Sequence, residues 1–204
     1  RALAENLVIF FRDQHITAQQ HLAFGRKFGE LHIHPAAPHE GDDPALMKIH
    51  ADRDSPRANG EGWHTDVSCD LEPPMGSILH LQVVPPDGGG DTMFANMYRA
   101  YETLSEPIKK MLAGMTAMHE GEHVYRGRYR VNDEGKVFPK AEQPIVRTHP
   151  VSGEKSLFLC EWGQMDWFEG PFVGMEPGPH GAGARLLDEI IAHLVQPVDT
   201  PLGG

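Results

Sequence analysis

The chain is poor in cysteine, in positive charge and in long apolar runs, and each shortage excludes something. Its 204 residues hold two cysteines, Cys69 and Cys160. Two thiols in a chain of this size do not make a disulfide framework, so a reducing cytoplasm is the expected compartment. Eighteen Lys and Arg stand against 29 Asp and Glu, a formal net charge of −11. Only RGRYR at 126–130 gathers positive charge, so no nucleic-acid partner is expected. The longest apolar candidate, LVIFF at 7–11, is strand-sized and far below a membrane span. The opening residues RALAENL lack the basic and apolar regions of a secretory signal.

What remains suits a soluble globular class: 40% apolar and 23% charged residues, enough for a single domain over 1–204 with a substantial core. The chain starts without Met and ends TPLGG, which raises the expectation that both ends are cut. Thirteen histidines make chance His-containing motifs unavoidable.

Strand signals recur along the chain at LVIFF (7–11), LMKIH (46–50), SILHLQVV (77–84) and TMFANM (92–97). Two more, PIVRTHP and KSLFLCEW, flank the turn VSGE. Thr17 with Gln20 three residues on forms a capping box that starts a helix ending at Gly29. Helices are also expected at NMYRAYETL, at SEPIKKMLAGM with Ser105 as N-cap, and at ARLLDEIIAHLVQ. Residues 126–144 read as a hairpin or excursion. Strands without βαβ alternation predict a mainly β fold with helical decoration, a sandwich or barrel.

The segment GWHTDVSCDLEPPMG (62–76) carries His64 and Asp66. On extended backbone, residues i and i+2 share a face, so both side chains can reach one ion. Two His and one carboxylate on one octahedral face suit a divalent iron and leave three positions open. The pattern alone is weak, since His50-Ala51-Asp52 repeats it. His50 and Asp52 run into the polar loop DRDSPRANG, whereas His64 and Asp66 precede a turn and a strong strand, which favours the second pair.

Four stretches, in order, carry a wider likeness: FGELHIHP (28–35), WHTDV…EPPMGSIL (63–79), GGDTMFANMYRAYETLSEP (89–107) and VRTHPVSGEKSLF (146–158). Together they resemble the TauD/TfdA-like (taurine dioxygenase) family of Fe(II)- and 2-oxoglutarate-dependent dioxygenases. The resemblance implies a double-stranded β-helix, or jelly roll. It implies His64 and Asp66 as metal ligands and Thr92 as the anchor of the 2-oxoglutarate carboxylate. It gives His34 a contact with the substrate's anionic group, Val67 a backbone N–H contact with substrate, and Tyr125 an aromatic wall. The implied reaction hydroxylates a small molecule bearing a sulfonate, sulfate ester or carboxylate. O₂ is consumed, and succinate and CO₂ are released. The expected partners are that small molecule and O₂, with a homo-oligomer left open.

His149, in RTHP, matches a family position in a turn and is not expected to be the third ligand. The family's second metal-binding His follows a WDNR-like stretch that this sequence does not contain. A third ligand, a His, is therefore expected beyond residue 204, together with the last strands of the jelly roll and the carboxylate-binding arginines. Ala37 stands where taurine dioxygenases proper have Tyr. CEWGQMDWFEG replaces an Asn- and Phe-Thr-containing stretch, so Trp162, Trp167 and Phe168 are candidates for an altered pocket wall as well as for core. Two alternatives stay open: a catalytically inactive relative that binds metal or 2-oxoglutarate, and a cupin-like metal-binding module.

Overall fold

The computed structural model describes residues 1–35, 43–55, 60, 62–127, 133–166 and 168–195, without the side chain of Trp162. Its elements in chain order are α1 (Ala2–Asn6), α2 (Ala18–Gly25), α3 (Met97–Glu102), α4 (Glu106–Leu112), β1 (Thr116–Glu120), α5 (Glu122–Tyr125), β2 (Lys140–Pro144), β3 (Val146–Thr148), β4 (Lys155–Leu157) and α6 (Ala182–Leu194). A single 3₁₀ turn covers Trp162–Gln164.

α2, α3 and α4 start where the sequence says they should, but α2 ends at Gly25 rather than Gly29, α6 starts two residues early at Ala182, and α1 and α5 were not expected. The Thr17 hydroxyl accepts from the Gln20 N–H at 3.2 Å, and the Gln20 side chain accepts from the Thr17 N–H at 2.8 Å, which closes the capping box. The Asn96 side chain caps α3 by accepting from the Tyr98 and Arg99 N–H groups. Ser105 occupies the N-cap of α4 without a side-chain bond. On α6 the buried residues Gly183, Ala184, Leu187 and Ile190 form one stripe, the spacing of a helix laid on a core.

Two antiparallel pairs build the sheets. β1 pairs with β2 from Thr116↔Pro144 to Glu120↔Lys140. β3 pairs with β4 from Val146↔Leu157 to Thr148↔Lys155, around the expected turn. The far edge of β1 meets residues 165–173 through single bridges, Ala117↔Phe172 and His119↔Met165. The main core gathers Leu112, Ala117, Ile145, Leu157, Leu159, Met165, Phe172, Leu187 and Ile190. A second cluster holds Val67, Cys69, Tyr125 and Phe138.

The expected strands at 7–11, 46–50, 77–84 and 92–97 are not paired among the described residues. Many of their apolar side chains face outward, with Phe10 at 69% and Val83 at 88% exposure. A strand is a pairing, and apolar alternation shows only readiness for it. The observed architecture is thus small antiparallel sheets among helices. Conversely, β1 and β2 were not foreseen, because TAMHE and KAEQP bury polar residues, His119 and Gln143, beside Ala117 and Ala141. No described helix is long and apolar enough to cross a membrane.

Candidate metal and substrate site

His64 and Asp66 lie at the entrance to a turn over 66–69. The turn closes through the Asp70 N–H to the Val67 carbonyl at 3.1 Å. His64 Nε2 and Asp66 Oδ1 converge at 3.3 Å, as the spacing predicts. Both side chains remain partly exposed. The other ring nitrogen, His64 Nδ1, is 3.0 Å from the Gly62 carbonyl. A carbonyl can only accept, so Nδ1 carries a hydrogen. Nε2, facing the Asp66 carboxylate, donates to it while the ring is protonated, and losing that proton leaves the Nδ1–H tautomer with a free Nε2 lone pair. This is the tautomer a metal-binding imidazole needs.

Gly62 makes that contact possible. Its φ of +87° belongs to the left-handed region, and a Cβ there would stand 2.5 Å from Glu161 Oε2. Asp66 is steadied from its other side, where Ser77 Oγ donates to Oδ2 at 2.7 Å. The hydrogen bond with Asp66 raises the His64 pKa, and the same bond lowers that of Asp66. Each partner thus favours the other's charged form while no metal competes.

The second His-x-Asp pair also closes, His50 Nε2 to Asp52 Oδ2 at 3.2 Å. It is well exposed on both sides, and Asp52 is steadied by the Ser55 hydroxyl at 3.1 Å and the Asp54 N–H at 3.0 Å. The His64–Asp66 pair differs in running directly into the buried residues Val67, Ser68 and Cys69. Among the described residues no group of three or more His, Cys, Asp and Glu could hold a metal ion. The donor set at His64 and Asp66 is therefore chemically right for a hard or borderline divalent cation but contributes two ligands.

His34 stacks edge-on against Tyr125, with ring centroids 4.9 Å apart. Burial lowers the His34 pKa, and the Asp66 and Asp70 carboxylates pull it the other way. Tyr125 is buried in one cluster with Val67, and its hydroxyl meets Cys69 Sγ at 3.8 Å. Val67 has φ 51° and is buried. His64, Asp66, Val67, His34 and Tyr125 thus share one neighbourhood. Thr92 does not visibly join them: it is exposed on the unpaired segment before α3.

His32, two residues before His34, is held by a carboxylate. Its Nε2 lies 2.7 Å from Asp70 Oδ2, with both side chains mostly shielded. His149 behaves as a turn residue: its Nδ1 accepts from the Val151 and Ser152 N–H groups at 3.3 and 3.1 Å. His193 Nε2 bonds Thr103 Oγ1 at 3.0 Å within a helix packing contact. Phe168 is exposed, while Trp167, Ala37 and the Trp162 side chain lie outside the described residues. Sequence reasoning missed Gly62, Ser77, Cys160 and Glu161. Gly62, directly before WHTD, was the one with a visible signal.

Residues 1–200 match the family model described as "Taurine catabolism dioxygenase TauD, TfdA family". The alpha-ketoglutarate-dependent sulfate ester dioxygenase of Pseudomonas putida is 36% identical over 78% of this chain and 55% of its own length. The alpha-ketoglutarate-dependent sulfonate dioxygenase of Saccharomyces cerevisiae is 31% identical over 77% of this chain and 41% of its own. Among solved structures, AAD-2 in complex with Mn(II) and N-oxalylglycine superimposes with a TM-score of 0.64 at 28% identity, over 92% of this chain and 64% of that one. The chain spans about half the length of the curated relatives it matches. A family match that runs almost from end to end settles the family: the chain belongs to the taurine catabolism dioxygenase TauD, TfdA family.

Proposed function

We propose that this chain is part of an Fe(II)- and 2-oxoglutarate-dependent dioxygenase that hydroxylates a small molecule carrying a sulfonate, sulfate ester or carboxylate. The observation that carries this is the His64–Asp66 pair, with Nε2 and Oδ1 3.3 Å apart and Nδ1 tied to the Gly62 carbonyl. Support comes from the family and from relatives named for sulfate esters and sulfonates.

His64 Nε2 and an Asp66 carboxylate oxygen would hold Fe(II), and the proposed third ligand is a His beyond residue 204. When bound, the metal with 2-oxoglutarate and O₂ supplies the oxidation that hydroxylates the substrate, with succinate and CO₂ released. The chain's own residues hold and orient. Ser77 fixes the Asp66 carboxylate. Thr92 offers a hydroxyl to the distal carboxylate of 2-oxoglutarate. His34, kept neutral by burial, offers a ring N–H to the substrate's anionic group, and Val67 offers a backbone N–H. Tyr125 walls the pocket and keeps water from His34.

The domain is proposed as a single jelly roll whose unpaired apolar segments, 77–84 among them, take strands from residues past 204. The exposed Leu79, Leu81 and Val83 are the support, since unpaired apolar edges are avoided in finished sheets. A cytoplasmic setting is proposed from the two buried free thiols.

The test loads the protein anaerobically with Fe(II) and 2-oxoglutarate. A weak visible charge-transfer band should form and should vanish in His64→Ala and Asp66→Ala. A band that survives both substitutions refutes the site. The two-ligand arrangement among the described residues favours a second reading, an inactive relative. Succinate formed on adding an alkyl sulfate, sulfonate or carboxylate under O₂ excludes it.

A further inference from the structure

Ser68, two residues after Asp66, is completely buried. Its hydroxyl has three neighbours: His119 Nδ1 at 2.9 Å, Cys160 Sγ at 3.3 Å and Gln164 Oε1 at 3.3 Å. A hydroxyl has one proton and two lone pairs. The Gln164 carbonyl oxygen can only accept, so the Ser68 proton goes there. Both lone pairs are then left for the His119 Nδ1–H and the Cys160 S–H. This assignment satisfies every group around the oxygen, and it requires a hydrogen on His119 Nδ1 and a protonated Cys160. Burial independently pushes the His119 pKa down and the Cys160 thiol up.

The sulfur also accepts the Thr65 N–H at 3.3 Å. Thr65 is the residue between the two proposed metal ligands. Gln143 Nε2, on β2, donates to the Ser68 and Asp70 carbonyls at 3.4 and 2.7 Å. The metal turn is therefore fastened from beneath by β1, by β2 and by the segment after β4. His119, Cys160 and Gln143 are all at least 97% buried, so water cannot substitute for a lost partner.

We propose that Cys160, Ser68 and His119 act as one set of positioning residues. They hold Thr65, and with it the His64 and Asp66 side chains, in the arrangement that takes the metal. This rests on the metal assignment made above and adds residues that touch neither metal nor substrate. A cysteine suits the task because its long C–S bond reaches the Thr65 N–H from the segment after β4, while its S–H has the Ser68 hydroxyl at 3.3 Å and the Thr65 carbonyl at 3.8 Å as acceptors.

The test measures Mn(II) affinity by titration, and the Fe(II)·2-oxoglutarate band, in Cys160→Ala, Ser68→Ala, Cys160→Ser and the Cys160→Ala/Ser68→Ala double variant. Urea unfolding is run in parallel. Loss of an outer partner of a metal ligand typically costs 10–100-fold in affinity, so Cys160→Ala and Ser68→Ala should each bind Mn(II) about tenfold or more weakly, with a displaced band. Cys160→Ser, which keeps a donor and an acceptor, should recover most of the affinity. The double variant should bind no more weakly than roughly the worse single one, as coupled residues do.

Leu112→Ala, in the main core, is the control: it should lose stability and keep its metal affinity. If Cys160→Ala and Ser68→Ala lose only stability, as the control does, the three residues merely pack and the inference fails. If His64→Ala itself binds Mn(II) like the unaltered protein, the metal assignment fails and the inference falls with it. Loss in His64→Ala with full binding in Cys160→Ala refutes the positioning role alone. If Cys160→Ala does not fold, Ser68→Ala carries the same comparison.

Discussion

His119 should make this protein lose stability on mild acidification, and the size of the loss follows from its surroundings. The ring is fully buried. One nitrogen bonds Ser68, and Nε2 has no partner among the described residues. Burial, with the nearby Arg147 charge as a lesser cause, lowers its pKa from 6.5 to about 4. In the unfolded chain the same ring titrates near its ordinary value. Between those values the unfolded state binds a proton that the folded state refuses, so stability falls as pH falls. Proton linkage from about pH 7 to about pH 5 gives a loss of about 2 kcal/mol from this residue, levelling off below about pH 4. The assay is urea unfolding at both pH values with a chelator present, so that proton competition at His64 does not contribute. His119→Asn keeps a donor for Ser68 and removes the titration. Its unfolding free energy should be lower at neutral pH but should fall about 2 kcal/mol less on acidification. Parallel pH dependences for the two proteins would refute a buried neutral His119.

Two further outcomes test the packing and the local signals. Leu112, fully buried in the main core, should cost about 2–5 kcal/mol when changed to Ala, read as a lowered urea midpoint with an unchanged slope. Thr17→Ala removes one half of the capping box of α2 and should cost about 1 kcal/mol. Faster amide exchange over 18–25 checks this, and Thr17→Ser should restore protection.

The sequence made legible what is local. The capping box at Thr17 and Gln20, the β3–β4 hairpin around VSGE and the His64–Asp66 convergence each depend on residues within a few positions of one another. The strands expected at 77–84 and 92–97 read correctly as apolar alternation, but pairing is a relation between distant segments, and these have no partner among the described residues. β1 and β2 failed in the other direction. Their buried positions include His119 and Gln143, polar residues that no periodicity rule sends to a core. Those same two residues hold Ser68 in the turn over 66–69, so the loss of apolar pattern at β1 and β2 and their link to that turn have one cause. In the sequence Cys160 stands only as one of two thiols too few for a disulfide framework, because the Thr65 and Ser68 contacts lie 95 and 92 positions away.

The residues after β4 join these observations into one mechanical unit. Phe158 donates its N–H to the Ile145 carbonyl at 2.8 Å, and Glu161 donates to the Trp63 carbonyl at 2.9 Å. Leu157 and Leu159 lie in the main core, and Cys160 lies under Thr65. A few residues further on, the buried Asp166 receives Lys140 of β2 at 2.6 Å. One continuous segment is thus anchored in the core at one end and meets the backbone beside both proposed ligands at the other. Packing in the core is stiff because close-packed side chains leave few alternative arrangements. Its rigidity reaches His64 and Asp66 through backbone hydrogen bonds rather than through side-chain packing around the ligands, which stay partly exposed. An exposed ligand pair on a buried, hydrogen-bonded base leaves the ligands open to metal and substrate while the base fixes their spacing.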